Sequence, residues 1–218
     1  SYLSGQKWTP GDVKYRDLNG DNKINNGTNV LGDMGDVTII GNTTPRYEYT
    51  LNGSISWKGI SLSVMFQGVG KRDWNPGGAV YFWGCGPYAQ VTVFKEHLDY
   101  WREDNKGAYY PKPYTAGAGA IGQYRNKTSQ TVDRYLQNAA YCRLKNLTLS
   151  YDLPSAWVKK VGFSKTQVFF SGENLLTFTK LAGMFDPEAV FTGNGYTSEG
   201  GKNYPMNRVL SIGLIVNL

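Results

Sequence analysis

Histidine and cysteine are almost missing from this chain, which has one His and two Cys among 218 residues. A single imidazole, His97, cannot build a metal cluster, and no Gly-x-Ser-x-Gly elbow, P-loop or dinucleotide fingerprint is present. Glu96, Asp99, Glu103 and Asp104 cluster near His97, an acid/base pair set against the favoured reading of a solvated face, with a short helix expected over 93–102. The chain is not expected to be an enzyme. Cys85 falls in a Gly-rich stretch and Cys142 in a strand-like one; these unlike contexts favour two free thiols over a disulfide, and neither spacing suggests a metal. Long apolar runs are also absent. A spanning helix needs about 18 or more apolar residues, so a helical membrane protein is excluded. A membrane β-barrel is not excluded, because its strands are apolar only at every second residue. Long polar loops then dilute the mean hydropathy, which is −0.43 here. The opening SYLSGQKWTPGDV lacks the basic start and apolar core of a signal peptide. The chain reads as a piece of something larger.

Charge excludes little by itself. The net charge is +6 and the 23 Lys and Arg are scattered, with no basic run and no nucleic-acid reader motif. Nucleic acid is therefore not an expected partner.

What the chain does have is alternation. From Arg46, Tyr47, Tyr49, Leu51, Gly53, Ile55 and Trp57 interleave with Glu48, Thr50, Asn52, Ser54 and Ser56. Lys58-Gly59 marks a tight turn, after which Ile60, Leu62, Val64 and Phe66 alternate with Ser61, Ser63, Met65 and Gln67. This is a β-hairpin with one apolar and one polar face. A sandwich would turn the apolar face inward, whereas a transmembrane barrel turns it to lipid. Tyr47 and Trp57 lie at opposite ends of one strand, about the separation of two interfacial aromatic girdles, since a tilted spanning strand takes roughly 9–11 residues.

Further strands are expected at 139–151, 165–179 and 205–218. Within the first, Leu147, Leu149 and Tyr151 share one parity while Cys142 and Leu144 share the other. A β-bulge at Lys145-Asn146 would bring both sets to one face. Segment 71–132 is a long connection rich in Gly, Pro and aromatics. Trp74, Tyr81, Phe82, Trp83 and Tyr88 are its candidates for contact with a substrate or partner, set against packing of the loop on itself.

Near the start, GDVKYRDLNGDNKINNGT places Asp17, Asn19 and Asp21 at positions 1, 3 and 5 of a calcium-loop pattern. The Lys23 carbonyl would fall at position 7 and Asn25 at position 9. Position 6 is Asn22 where Gly is usual, a mild departure because Asn tolerates positive φ. Position 12 is Thr28 where a bidentate Glu is usual, a serious one. The alternative is an Asx-rich turn held by its own side-chain hydrogen bonds. A cation here would be structural, and no other cofactor is expected.

The run from Asp133 to Pro154, DRYLQNAAYCRLKNLTLSYDLP, resembles the C-terminal barrel of the SusC/RagA-type TonB-dependent transporters. DRYLQNA, RLKNLTL and YDLP stand in that family's order and spacing, and GENLLTFTK followed by Asp186-Pro187-Glu188 is similar to it as well. So is the acidic loop leading into DVTIIGNTTPRYEYT, a match on which Asp36 takes the place of the closing carboxylate. The terminal strand ending at Leu218 departs from the Phe that many such proteins carry there.

The resemblance implies an all-β fold: antiparallel strands forming the C-terminal part of a large transmembrane β-barrel, with long extracellular loops. Segments 1–45, 71–138 and 180–204 would be extracellular, 46–70 a strand hairpin, 139–179 two strands, and 205–218 the C-terminal strand. It implies the outer membrane of a Gram-negative bacterium of the Bacteroidota, and TonB-dependent import of glycans, oligosaccharides or peptides. The partners would be a SusD-like surface lipoprotein, TonB through parts outside this chain, and outer-membrane lipid. Two rivals stand beside this reading: an extracellular calcium-stabilised, carbohydrate-binding β-sandwich, and a siderophore or cobalamin receptor of the wider TonB-dependent class.

Overall fold

A computed structural model describes residues 8–76, 95–113, 131–190 and 204–218. The chain divides into two compact units. One draws its described residues from Thr44–Asp73, Asn138–Ala189 and Tyr204–Leu218; the other draws on Ser1–Thr43, Trp74–Gln137 and Val190–Asn203.

The first unit is an antiparallel sheet of five long strands, β1 (Arg46–Trp57), β2 (Ile60–Lys71), β5 (Tyr141–Asp152), β6 (Lys165–Thr179) and β7 (Val209–Asn217), in that spatial order. The two-residue strands β3 (Asp73–Trp74) and β4 (Gln137–Asn138) form a separate ladder. Every long strand pairs with the next long strand in sequence, so the sheet is a simple meander. It is open, with β1 and β7 as its edges. The β1–β2 turn places Lys58 at φ 49° and Gly59 at φ 85°. Positive φ at both central residues matches the right-handed twist of the flanking strands, and Gly59 adopts it without a Cβ penalty. Between β5 and β6 the chain makes a short helix, Ser155–Val158, and a 3-10 turn, Lys159–Val161, stopped by Gly162 at φ 86°.

Register decides the faces. Leu51, Ile55 and Trp57 stand opposite Phe66, Leu62 and Ile60. Those three in turn oppose Leu144, Leu149 and Tyr151. Across the next pair, Leu144, Leu149 and Tyr151 meet Leu176, Phe170 and Val168, and the last two meet Ile212 and Leu214. Opposed residues share a face, so one apolar surface runs unbroken over all five strands. The other face carries Asn52, Ser54, Ser61, Gln67, Arg143, Thr148, Ser171 and Ser211.

The expected bulge is present. Met65 pairs with Asn146 and Phe66 with Leu144, which leaves Lys145 as the extra residue of β5. Cys142 and Leu144 thereby join Leu147, Leu149 and Tyr151 on the apolar face. The irregularity continues into β6: Leu144 faces Leu176 while Asn146 faces Glu173, and Asn174 takes φ 53°. One bulge answers the other across neighbouring strands.

The helix expected over 93–102 does not form among the described residues. Lys95–Leu98 makes a single 3-10 turn. Beyond it the Asp99 carboxylate accepts hydrogen bonds from the Tyr109 N–H and the Asn105 amide, both 3.1 Å, and Tyr100 bridges to Tyr110. An Asp that binds backbone outside a helix competes with helical pairing, and here it draws the chain into a closed loop. His97 is buried and packs edge-on against Tyr110 at 5.2 Å, so it does not lie on a solvated face.

Candidate functional site

Three arrangements position residues that bear on function: the apolar sheet face, a buried charge cluster beside the bulge, and the loop unit.

The apolar face is exposed where a soluble protein would hide it. Leu51, Ile55, Trp57, Phe178, Leu210 and Ile212 are each between 61% and 81% accessible. This is far larger than the scattered apolar exposure of ordinary surfaces, and a contiguous patch of such size marks a partner or a membrane. Among the described residues no helix is long and apolar enough to cross a membrane, a test that does not bear on strands.

On the polar face, Arg143 is buried at 3% exposure. Its guanidinium donates to both carboxylate oxygens of Asp186 at 2.9 Å and, through Nε, to the Thr177 hydroxyl at 2.8 Å. Glu188 lies 3.3 Å from the same guanidinium and accepts from Lys145 at 2.9 Å. Asp186 also accepts from the backbone N–H groups of Glu188 and Met206. One carboxylate thus ties β5, the segment after β6 and the approach to β7. The sequence offered no sign of this long-range pairing, although its members lie in the RLKN and Asp-Pro-Glu stretches.

The loop unit contains the acidic loop. Asp17 accepts from Gly20 N–H at 2.6 Å and Asn22 N–H at 2.8 Å. Asn19 and Asp21 make the same kind of Asx turn to Asp21 and Lys23, and Asn25 does so to Gly27. Asn22 sits at φ 61°, the left-handed position where Gly is usual. Asp36 returns to close the loop, its two oxygens accepting from Leu18 N–H at 2.7 Å and Asn25 N–H at 2.8 Å. Those bonds, Leu18 first, hold its carboxyl below the usual carboxylate range. Among the described residues no three His, Cys, Asp or Glu side chains gather as a metal cluster. Asp17, Asn19, Asp21, Lys23, Asn25 and Asp36 are thus brought together in one loop threaded by these hydrogen bonds.

The same unit holds a cavity of about 740 Å³, lined among others by Lys14, Arg16, Trp101, Tyr109, Arg134 and Tyr135. The DRY residues build its wall. Arg134 donates to the carbonyls of Ala108 and Tyr109, while Tyr135 is buried edge-on to Tyr109 at 5.5 Å. Gly11 at φ 94° lies so close under Trp101 that a Cβ would approach its ring to 2.5 Å. Of the aromatic contact candidates, Trp74 is only 1% exposed and serves packing within this chain. Tyr81, Phe82, Trp83 and Tyr88 lie outside the described residues, as does Cys85. Cys142 is free.

Comparison with known proteins agrees with this architecture. Two curated relatives from Formosa agariphila, TonB-dependent receptor P3 and TonB-dependent receptor P26, are 29% and 26% identical over 97% and 94% of the chain. The RagAB peptide importer superposes in its open-open state with a TM-score of 0.59 at 28% identity over 86% of the chain. Its closed-closed state gives 0.57 at 29% over 85%. By sequence and by fold the chain is similar to the SusC/RagA-type TonB-dependent receptors. It spans 19% of the length of the two curated relatives and 18% of each of the two importer chains. No family model matches. The five-stranded antiparallel sheet is open and matches part of the chain of these TonB-dependent transporter structures.

Proposed function

We propose that this chain forms part of the wall, and part of the extracellular loop structure, of an outer-membrane TonB-dependent importer. The observation that carries the reading is the apolar face running unbroken over five strands while the opposite face stays polar. That division suits lipid outside and a wet lumen inside. A calcium-stabilised sandwich would need the same face dry against a second sheet, yet Trp57 and Ile55 are each 67% exposed. The siderophore or cobalamin reading draws no support from the relatives, whose names record a peptide importer and receptors.

Cargo is proposed as an oligopeptide or oligosaccharide, taken up with a SusD-like surface lipoprotein. The loop unit, with its aromatic and basic cavity, would supply contacts to lid or cargo. We assign the chain no catalytic step and place TonB contact outside these residues.

Fractionation of native cells tests the reading. An antibody to residues 71–132 should reveal a heat-modifiable outer-membrane band far heavier than 24.3 kDa, from which a lipoprotein can be co-purified. A soluble band near that mass would overturn it. Growth of a deletion strain on peptide or on glycan as sole nutrient then separates the two cargo classes.

A further inference from the structure

The sheet has two unlike ends, and the end bearing the tight turns is basic. The turns 58–59 and 153–164 carry Lys58, Lys159 and Lys160 and no carboxylate. The flanking Asp152 is paired with Lys165 at 3.2 Å. The two turns are neighbours, because the Asp152 N–H donates to the Gly59 carbonyl at 2.8 Å.

Apolar groups accompany this charge. Trp57, on the apolar sheet face, is 67% exposed, and the Lys58 ammonium lies 4.7 Å from its ring. Trp157 and Val161, four residues apart along the helical segment 155–161, are 65% and 66% exposed. Val158 is buried and fixes the opposite side of that segment. Packing of the chain on itself explains Val158 but leaves the exposed tryptophans without a role. Exposed Trp beside Lys at the border of an apolar surface is the arrangement that settles at a membrane–water interface.

Resting on the barrel reading above, we propose that this rim is a docking surface for anionic phospholipid headgroups. Trp57, Trp157 and Val161 would enter the interfacial layer while Lys58, Lys159 and Lys160 hold phosphate oxygens. Charge complementarity and continuity with the lipid-facing sheet select this occupant. The two turns carry three cations and no carboxylate, and the flanking Asp152 is paired with Lys165, so the charge on offer favours an acidic headgroup.

The test uses the purified full-length transporter containing this chain, in micelles doped with phosphatidylglycerol or phosphatidylcholine. The readout is the temperature at which the heat-modifiable band is lost. Phosphatidylglycerol should raise that midpoint by several degrees over phosphatidylcholine. The gain should vanish in K58Q/K159Q/K160Q, survive in K58R/K159R/K160R, and shrink at high salt, where exposed charges are screened. An equal gain with both lipids would overturn the proposal. So would a gain that persists in the Gln variant, or one produced by lipopolysaccharide in place of phosphatidylglycerol. A detergent-dependent, heat-modifiable protein without the lipid preference sinks this inference alone, whereas a protein soluble and monomeric without detergent sinks the barrel reading with it.

Discussion

Asp36 and Arg143 show how much one side chain can hold at a distance. Asp36 satisfies two backbone N–H groups eleven and eighteen residues upstream. Asp36→Ala frees both, and trypsin should then cut after Lys23 several-fold faster than in the parent. Because the folded carboxyl titrates below its ordinary value, its stabilising effect is complete above the unfolded pKa of about 3.9 and fades as pH falls through the folded one. The loop should therefore keep its protease resistance from neutral pH down to about pH 4 and lose it only below. Since the Asx turns already shape the loop, calcium or a chelator is expected to leave that resistance unchanged, which a cleavage time course checks. Arg143 is the harder case. Arg143→Ala would leave Asp186 buried without its cation, and breaking such a pair costs about 3–5 kcal/mol. The expected outcome is a lowered urea midpoint for the folded barrel, with Arg143→Lys in between because it keeps charge but not the two-pronged contact. The sequence exposed Asp36 only through its likeness to a known loop. It did not pair Arg143 with Asp186, because a contact spanning 43 residues leaves no periodic trace.

At the scale of elements, the β5 bulge decides which side chains meet lipid. Deleting Lys145 would remove the bulge and restore strict alternation with Cys142, Leu144, Leu147, Leu149 and Tyr151 all on one parity, so the apolar face should be kept. The heat-modifiable form should survive the deletion. Face assignment can be tested more gently at the middle of β1. Leu51→Arg puts a charge on the apolar side and should cost about 2–4 kcal/mol near the midplane, against little for Asn52→Arg on the polar side; folding yields in vesicles would show the contrast. Strand limits were legible at Arg46, at Lys58-Gly59 and at Pro154, where alternation begins or ends sharply, but β7 starts at Val209, four residues later than the expected 205. The bulge was legible because the parity switch falls inside one strand. The 93–102 stretch misled because its charge spacing suits a helix, while the Asp99 carboxylate binds backbone ten residues on and closes a loop.

For the molecule as a whole, the open sheet is the governing fact. β1 and β7 each present a row of unpaired backbone groups beside a lipid-facing surface, a template for aggregation. These 218 residues expressed alone should form aggregates, or disperse only in detergent; a sharp monomer peak in detergent-free size-exclusion chromatography would contradict the sheet assignment. The division of the chain follows the same logic. Stretches that lack alternation, far apart in sequence, gather their described residues into one unit, while the alternating stretches make the other.

The sequence by itself determined the strands, their apolar side, the bulge and the family likeness. All of these rest on local periodicity or on a short run of residues, and the two-residue repeat of a strand is written directly in the order of side chains. Only the tertiary structure decided that Arg143 is buried against Asp186 and Glu188, that His97 and Trp74 pack inside, and that Trp157 and Val161 stand exposed while Val158 between them is buried. Those outcomes depend on which distant segments meet. Burial and ion pairing are properties of neighbours in space, and neighbours in space are set by register and chain reversal.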